Sequence, residues 1–89
     1  MLYLAYTGDQ DLRDDRGDHP EGPWREICRL RAGLVLIDSD QRRSVVYHAI
    51  KDLLPSGSAL LVAAATEIPK FKGMDPGALA WARAHAPGS

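Results

Sequence analysis

The chain has 89 residues and a mass of 9.7 kDa, enough for a single compact domain over residues 1–89. Hydrophobic residues make up 45% and charged residues 26%, which excludes a disordered tail, a collagen-like chain and a coiled-coil rod. The formal net charge of -1 excludes the strong basic excess typical of nucleic-acid-binding domains.

The cysteine count and the hydropathy pattern predict the compartment. Cys28 is the only cysteine, so no internal disulfide can form and a reducing compartment is expected. The longest apolar run covers residues 59–65, whereas a membrane span needs about 20 residues. We therefore expect a cytoplasmic protein without a membrane segment.

The first quarter of the chain predicts one short strand followed by a long acidic loop. Residues 2–6 are apolar and partly aromatic, and Gly8 ends the run. Residues 8–22 are rich in aspartate and contain glycine and proline, which oppose regular structure. Loops of this length are uncommon in compact domains and often functional.

Residues 24–31 fit two structures almost equally well. As a strand, alternate residues from Trp24 onward share one face, and Gly33 supplies a hairpin turn. As a helix, Pro23 takes the first position and Gly33 closes the end. The local pattern leaves both interpretations open.

A strand and an amphipathic helix follow. Residues 34–37 are all apolar and predict a buried strand. A helix is predicted over residues 41–54, with Asp38 or Asp40 as its cap. Its apolar stripe includes Val46 and Ile50, and Pro55 ends it.

The last part of the chain predicts a second strand and a second helix. Residues 59–65 form a continuous apolar run, which predicts another buried strand. Asp75 followed by Pro76 is a favourable helix start, and Leu79 and Trp81 follow. Residues 70–73 are expected to connect these two elements.

The ambiguity at residues 24–31 leads to two architectures. If that segment is a strand, the chain is α+β, a two-layer split βαβ arrangement of the ferredoxin-like type. Its first helix is degenerate, and a C-terminal helix is added. If the segment is a helix, the chain is α/β, a three-stranded parallel βαβαβα sheet.

Three short stretches resemble the small ferredoxin-fold proteins related to the CRISPR spacer-acquisition subunit and to SinR-like proteins. They are Tyr3-Leu4, Ser39-Asp40-Gln41 and Leu60-Leu61-Val62. The resemblance favours a strand at residues 24–30. It implies a homodimer built through sheet edges and, in some members, a metal-dependent nuclease. The carboxylate of that family ends the first strand, where this sequence has Thr7, with Asp9 nearby.

Three aspartates are candidate metal ligands. Asp38 and Asp40 flank a predicted strand–helix junction, and Asp9 follows the first predicted strand. Clustered carboxylate oxygens suit Mg²⁺, which can polarise a phosphoryl group. Helix capping is the competing explanation for the first two. No other cofactor is indicated by the sequence.

Basic and aromatic residues form a candidate partner-binding surface. Arg42 and Arg43 occupy the first turn of a predicted helix, where the helix dipole disfavours cations, so an anionic partner would explain them. Further candidates come from outside this helix. They are Lys70, Phe71, Lys72 and Trp24.

These features predict an interaction module rather than an enzyme. The expected protein is a homodimer that binds another macromolecule through its aromatic and basic surface, because aromatic residues dominate interface energetics. A Mg²⁺-dependent phosphodiesterase or nuclease that uses Asp9, Asp38 and Asp40 is the first alternative. Nucleic-acid binding without cleavage is the second.

Overall fold

The computed structural model describes residues 1–15 and 22–86 and has the α+β class predicted from the sequence. Four strands and two helices occur in these residues. In chain order they are β1 (Leu2–Tyr6), β2 (Glu26–Arg31), β3 (Leu34–Asp38), α1 (Arg43–Leu53), β4 (Leu61–Ala65) and α2 (Ala78–Ala84).

The four strands form one antiparallel sheet in the order β2-β3-β1-β4. In its centre, Leu4 of β1 lies between Leu36 of β3 and Ala63 of β4. The parallel βαβαβα alternative is therefore wrong. Only Ala32 and Gly33 separate β2 from β3, and so short a connection can join antiparallel neighbours but not parallel ones.

The ambiguous segment is a strand, and the helical interpretation of residues 24–31 is wrong. β2 forms a hairpin with β3. Gly33 in the turn has a φ of 80°, a backbone conformation that residues other than glycine rarely adopt. Ile27 lies opposite Ile37, and a register shift follows between Arg29 and Arg31. Pairing with β3 supplies the backbone hydrogen bonds that an isolated segment would find in a helix.

Apolar side chains pack on both faces of the sheet. The first face carries α1, whose Val46 and Ile50 are fully buried. The second face carries α2, through Ala78, Trp81 and Ala82. The predicted two-layer packing is therefore wrong, because the added C-terminal helix covers the face opposite α1. The strand residues on the first face are Tyr3, Ala5, Ile27, Val35 and Ile37, and those on the second are Leu2, Cys28, Leu30 and Leu36.

Both helices begin without the predicted aspartate caps. The N-cap of α1 is Arg42, which makes no capping hydrogen bond through its side chain, and Asp38 is paired with Arg25 instead. The N-cap of α2 is Gly77, and the carboxylate of Asp75 is paired with Arg29. Each aspartate forms an ion pair with an arginine of the β2 region, a tertiary partner that local sequence spacing does not reveal.

The described first part of the acidic loop lies along the outer side of β2, through Asp11, Asp14 and Asp15. Residues 8–15 contain neither helix nor strand, although Asp15 forms an isolated antiparallel bridge with Ile27. Residues 22–25 are likewise irregular, so the described residues between β1 and β2 hold no helix. Residues 16–21 of the predicted loop lie outside the described residues.

Candidate interaction surface

The predicted basic and aromatic residues are distributed over both faces of the sheet. Arg42 and Arg43 begin α1, which covers the first face. Phe71 packs half-buried against the cluster on the second face, between the exposed Lys70 and Lys72. These side chains therefore do not form one continuous surface.

Trp24 fills the core instead of presenting an aromatic surface. Its side chain is 5% exposed and belongs to the cluster on the first face. Its indole Nε1 donates a hydrogen bond of 2.8 Å to Oδ2 of Asp15. A buried tryptophan needs such an acceptor, so Trp24 connects the acidic loop to the core.

Arg42 and Arg43 are exposed cations at the start of α1. The first turn of this helix contains no acidic residue, and no ion pair within residues 1–15 and 22–86 involves either arginine. Cations at this end of a helix are disfavoured by about 0.3–1 kcal/mol. An anion bound here would be stabilised by both guanidinium groups and by the helix dipole.

The three predicted metal ligands lie at two ends of the sheet. Asp38 pairs with Leu2 at the start of β1, whereas Asp9 follows Tyr6 at its other end. The length of β1 separates these levels by about 14 Å, at about 3.4 Å per residue. Mg²⁺ holds its oxygen ligands at about 2.1 Å, so Asp9 and Asp38 do not share an ion in this arrangement. Among the described residues, no group of three acidic, histidine or cysteine side chains is placed to hold a metal.

Asp38 and Asp40 both form ion pairs with Arg25. Nη2 and Nε of Arg25 donate to the two carboxylate oxygens of Asp38, at 2.7 and 3.2 Å, and Nη1 of Arg25 pairs with Asp40. Hydrogen bonds that Arg25 donates to Asp38, and next to Asp40, raise the pKa of its guanidinium above the ordinary value. The carboxylates thus serve an ion-pair network at the end of β3.

Thr7 follows β1 directly, at the start of the acidic loop. Thr7 is fully buried, and its hydroxyl donates a hydrogen bond of 2.7 Å to the carbonyl of Gln10. Its backbone N–H donates to the carbonyl of Gly33 at 2.8 Å. Thr7 therefore holds the start of the acidic loop against the β2–β3 turn.

An exposed apolar surface lies at β4, which the sequence predicted to be a buried strand. β4 is the outermost strand on its side of the sheet, and its leading residue Leu61 is 55% exposed. The prediction of burial is wrong because an apolar run has the same pattern in a central strand and in an edge strand. The sequence did contain a signal of an unprotected edge strand, because residues 53–66 contain no Asp, Glu, Lys or Arg. Natural edge strands are usually protected by such charges.

A small apolar patch adjoins this strand on the second face. Tyr6 lies directly opposite Leu61 and is 50% exposed. Leu4 and Ala63 continue the same face, because side chains alternate along a strand. α2 lies against β2, at the other side of the sheet; Leu4 and Ala63 are half-buried, whereas Tyr6 and Leu61 remain exposed. We call Leu4, Tyr6, Leu61 and Ala63 the β4 patch.

Comparisons of the chain with protein-family models, with curated proteins and with solved structures find no match. Neither helix in the described part of the chain has the length and apolar composition needed to cross a bilayer. The features of this chain that bear on function are therefore its sheet edges and its exposed side chains.

Proposed function

We propose that this protein is a small interaction module that forms a homodimer through the outer edge of β4. The observation that carries the proposal is an uncharged outermost strand that begins with an exposed leucine, next to an exposed tyrosine. Within the described residues, backbone hydrogen bonds join residues 61–65 to no strand other than β1. Unpaired N–H and C=O groups along such an edge are a template for another strand.

A second copy of the chain fits this edge because β4 can pair with itself. A twofold axis through Ala63 places Leu61 opposite the second copy's Ala65 and Val62 opposite its Ala64. No charges oppose each other in this pairing, and cross-strand apolar pairs contribute about 0.2–1 kcal/mol each. The result is a continuous eight-stranded sheet, in which the two β4 patches adjoin on the same face. Twofold self-pairing also closes the assembly.

We further propose that the fold is of the ferredoxin-like type, which the strand order supports. In a split βαβ arrangement, β1 lies between β3 and β4 in an antiparallel sheet. The observed order β2-β3-β1-β4 has this form, and the described residues between β1 and β2, 8–15 and 22–25, are irregular where that arrangement has its first helix. The proposal also keeps the cytoplasmic location predicted from the lone cysteine.

Light scattering coupled to size exclusion tests the dimer. We expect the native chain to have twice the monomer mass at high micromolar concentration, and Leu61→Lys to reduce this mass to that of one chain. Leu79→Lys is the matched control, because Leu79 is 42% exposed on α2, away from β4. A native chain that stays monomeric, or a dimer that Leu61→Lys leaves intact, would contradict the proposal.

A nucleic-acid partner is a second candidate, favoured by the exposed Arg42 and Arg43. Phosphate contacts release counterions, so binding should weaken as salt is raised. Fluorescence anisotropy with a single-stranded oligonucleotide over a salt series measures this effect. Arg42→Gln combined with Arg43→Gln should reduce both the affinity and the salt dependence, while Lys51→Gln, late in α1, should not. Salt-independent binding would remove this candidate.

A further inference from the structure

The two edges of the sheet differ in how their backbone groups are satisfied. At β2, Asp15 exchanges two hydrogen bonds with Ile27: the N–H of Asp15 donates to the carbonyl of Ile27 at 3.0 Å, and the N–H of Ile27 donates to the carbonyl of Asp15 at 2.8 Å. At β4, by contrast, the outer backbone groups meet no strand within the described residues. One edge of the sheet is therefore closed and the other is open.

Aspartate side chains extend this closure along β2. The backbone N–H of Arg29 donates a hydrogen bond of 2.6 Å to Oδ1 of Asp14. Nε of Arg29 donates to Oδ1 of Asp11 at 2.7 Å, and the hydrogen bond with Asp11 is the main cause of a raised pKa for the Arg29 guanidinium. We call residues 11–15 the acidic strap. At the far end of β2, the carbonyl of Leu30 accepts from the N–H of Asp75 at 2.6 Å.

An unprotected β2 edge would be compatible with the β4 edge of another copy. Three antiparallel steps separate β2 from β4 in the sheet, so these two strands run in opposite directions. Copies stacked in the same orientation would therefore continue the antiparallel alternation without a break. Such head-to-tail contacts do not close, and they generate open filaments instead of dimers.

We infer that the acidic strap is an assembly terminator: it occupies the β2 edge and so restricts pairing between copies to the β4 edge. The strap satisfies the outer N–H and C=O of Ile27 and the outer N–H of Arg29, and it places three carboxylates, those of Asp11, Asp14 and Asp15, where another strand would have to dock. Covering an edge with a loop and with charge is a known protection against edge-to-edge association. The inference rests on the proposed function only in taking β4 as the open edge.

The test removes the contacts of the strap with β2. Asp14→Ala removes the acceptor for the Arg29 N–H, and Asp15→Pro removes the N–H that bonds to Ile27. Sedimentation velocity over a concentration series should show the double variant growing beyond a dimer, whereas Asp9→Ala should keep the native assembly state. Adding Leu61→Lys to the double variant should abolish the growth, because it blocks the complementary edge.

Amide hydrogen exchange shows whether the strap has been released. In the native chain, the amides of Ile27 and Arg29 should be protected; fast exchange at both would overturn the inference. Faster exchange in the double variant without growth beyond the native state would also overturn it, as would growth that Leu61→Lys does not suppress. If the double variant fails to fold by circular dichroism, Asp14→Ala alone is used with the same criteria.

The inference and the proposed dimer can fail separately. A native chain that is monomeric removes the dimer, but strap variants that then associate through Leu61 would still support the terminator. A native dimer whose strap variants expose β2 and remain dimeric removes only the terminator.

Discussion

Gly33 packs directly against the backbone of Gly8. A Cβ atom at Gly33 would lie 2.3 Å from the carbonyl oxygen of Gly8, far inside van der Waals contact. The N–H of Thr7 also donates to the carbonyl of Gly33 at 2.8 Å. The β2–β3 turn is thus joined to the point where the chain leaves β1 and enters the acidic loop.

Gly33→Ala should therefore be strongly destabilising. The methyl group must displace backbone atoms of Gly8, and alanine is also strained at a φ of 80°. We expect a loss of about 2–5 kcal/mol in the free energy of unfolding, since the left-handed backbone costs about 1–2 kcal/mol and the steric overlap about 1–3 kcal/mol. Urea unfolding followed by circular dichroism measures this loss.

Gly73→Ala is the control for the turn glycine. Its φ of 76° is close to that of Gly33, but within the described residues nothing beyond its chain neighbours lies within 4 Å of the added Cβ. Gly73→Ala should lower the free energy of unfolding only by the cost of the left-handed backbone, about 1–2 kcal/mol. Equal losses for the two variants would show that the contact with Gly8 is unimportant.

Trp81 should account for most of the docking energy of α2. Its side chain is 6% exposed, and its Nε1 donates a hydrogen bond of 2.9 Å to Oε1 of Glu26. Truncation removes this packing and leaves a cavity, so Trp81→Ala should lower the free energy of unfolding by about 3–5 kcal/mol. Leu79→Ala, on the exposed side of the same helix, should change it by less than about 0.5 kcal/mol. Similar losses from the two variants, measured by chemical denaturation, would contradict this placement of α2.

Of the two aspartates that pair with Arg25, Asp38 should contribute more than Asp40 to the free energy of unfolding. The Asp38 side chain is 14% exposed and accepts two hydrogen bonds from Arg25, whereas the Asp40 side chain is 74% exposed. We expect Asp38→Asn to cost about 1 kcal/mol and Asp40→Asn less than about 0.5 kcal/mol, because exposed ion pairs contribute little. The pKa of Arg25 is raised in the fold, so its contribution is complete at every pH below the ordinary arginine pKa and is lost only above it. Thermal unfolding at neutral and at mildly alkaline pH should give the same ranking; a reversed ranking would refute the assignment.

The thiol of Cys28 should react only when the sheet opens. Cys28 is fully buried on the second face, opposite Leu36 of β3. A thiol-specific reagent such as Ellman's reagent should therefore label the native chain far more slowly than the urea-unfolded chain. Cys28→Ala should remain folded at a modest cost, since the lost side chain is small. Rapid labelling under native conditions would show that β2 is not packed as described.

Part of the candidate site could be predicted from the sequence. The positions of Arg42 and Arg43 at the start of an amphipathic helix follow from local periodicity, and the structure confirms them there. The burial of Trp24 could not be predicted, because it depends on a core built by α1 and on an acceptor at Asp15. Predicting the separation of Asp9 from Asp38 would also have required the register of β1 with β3, which pairs Leu2 with Asp38.

The sequence by itself determined the local elements: the strand at residues 2–6, the strand beginning at Leu34, the helix around Val46 and Ile50, and the strand before Thr66. Each has a hydrophobic period or run that is complete within a few residues. Tertiary structure decided that residues 26–31 pair as a strand and that β4 lies at the edge. Strand pairing joins residues that are distant in the chain, so which backbone groups are satisfied, and which edge stays open, is a property of the assembled sheet.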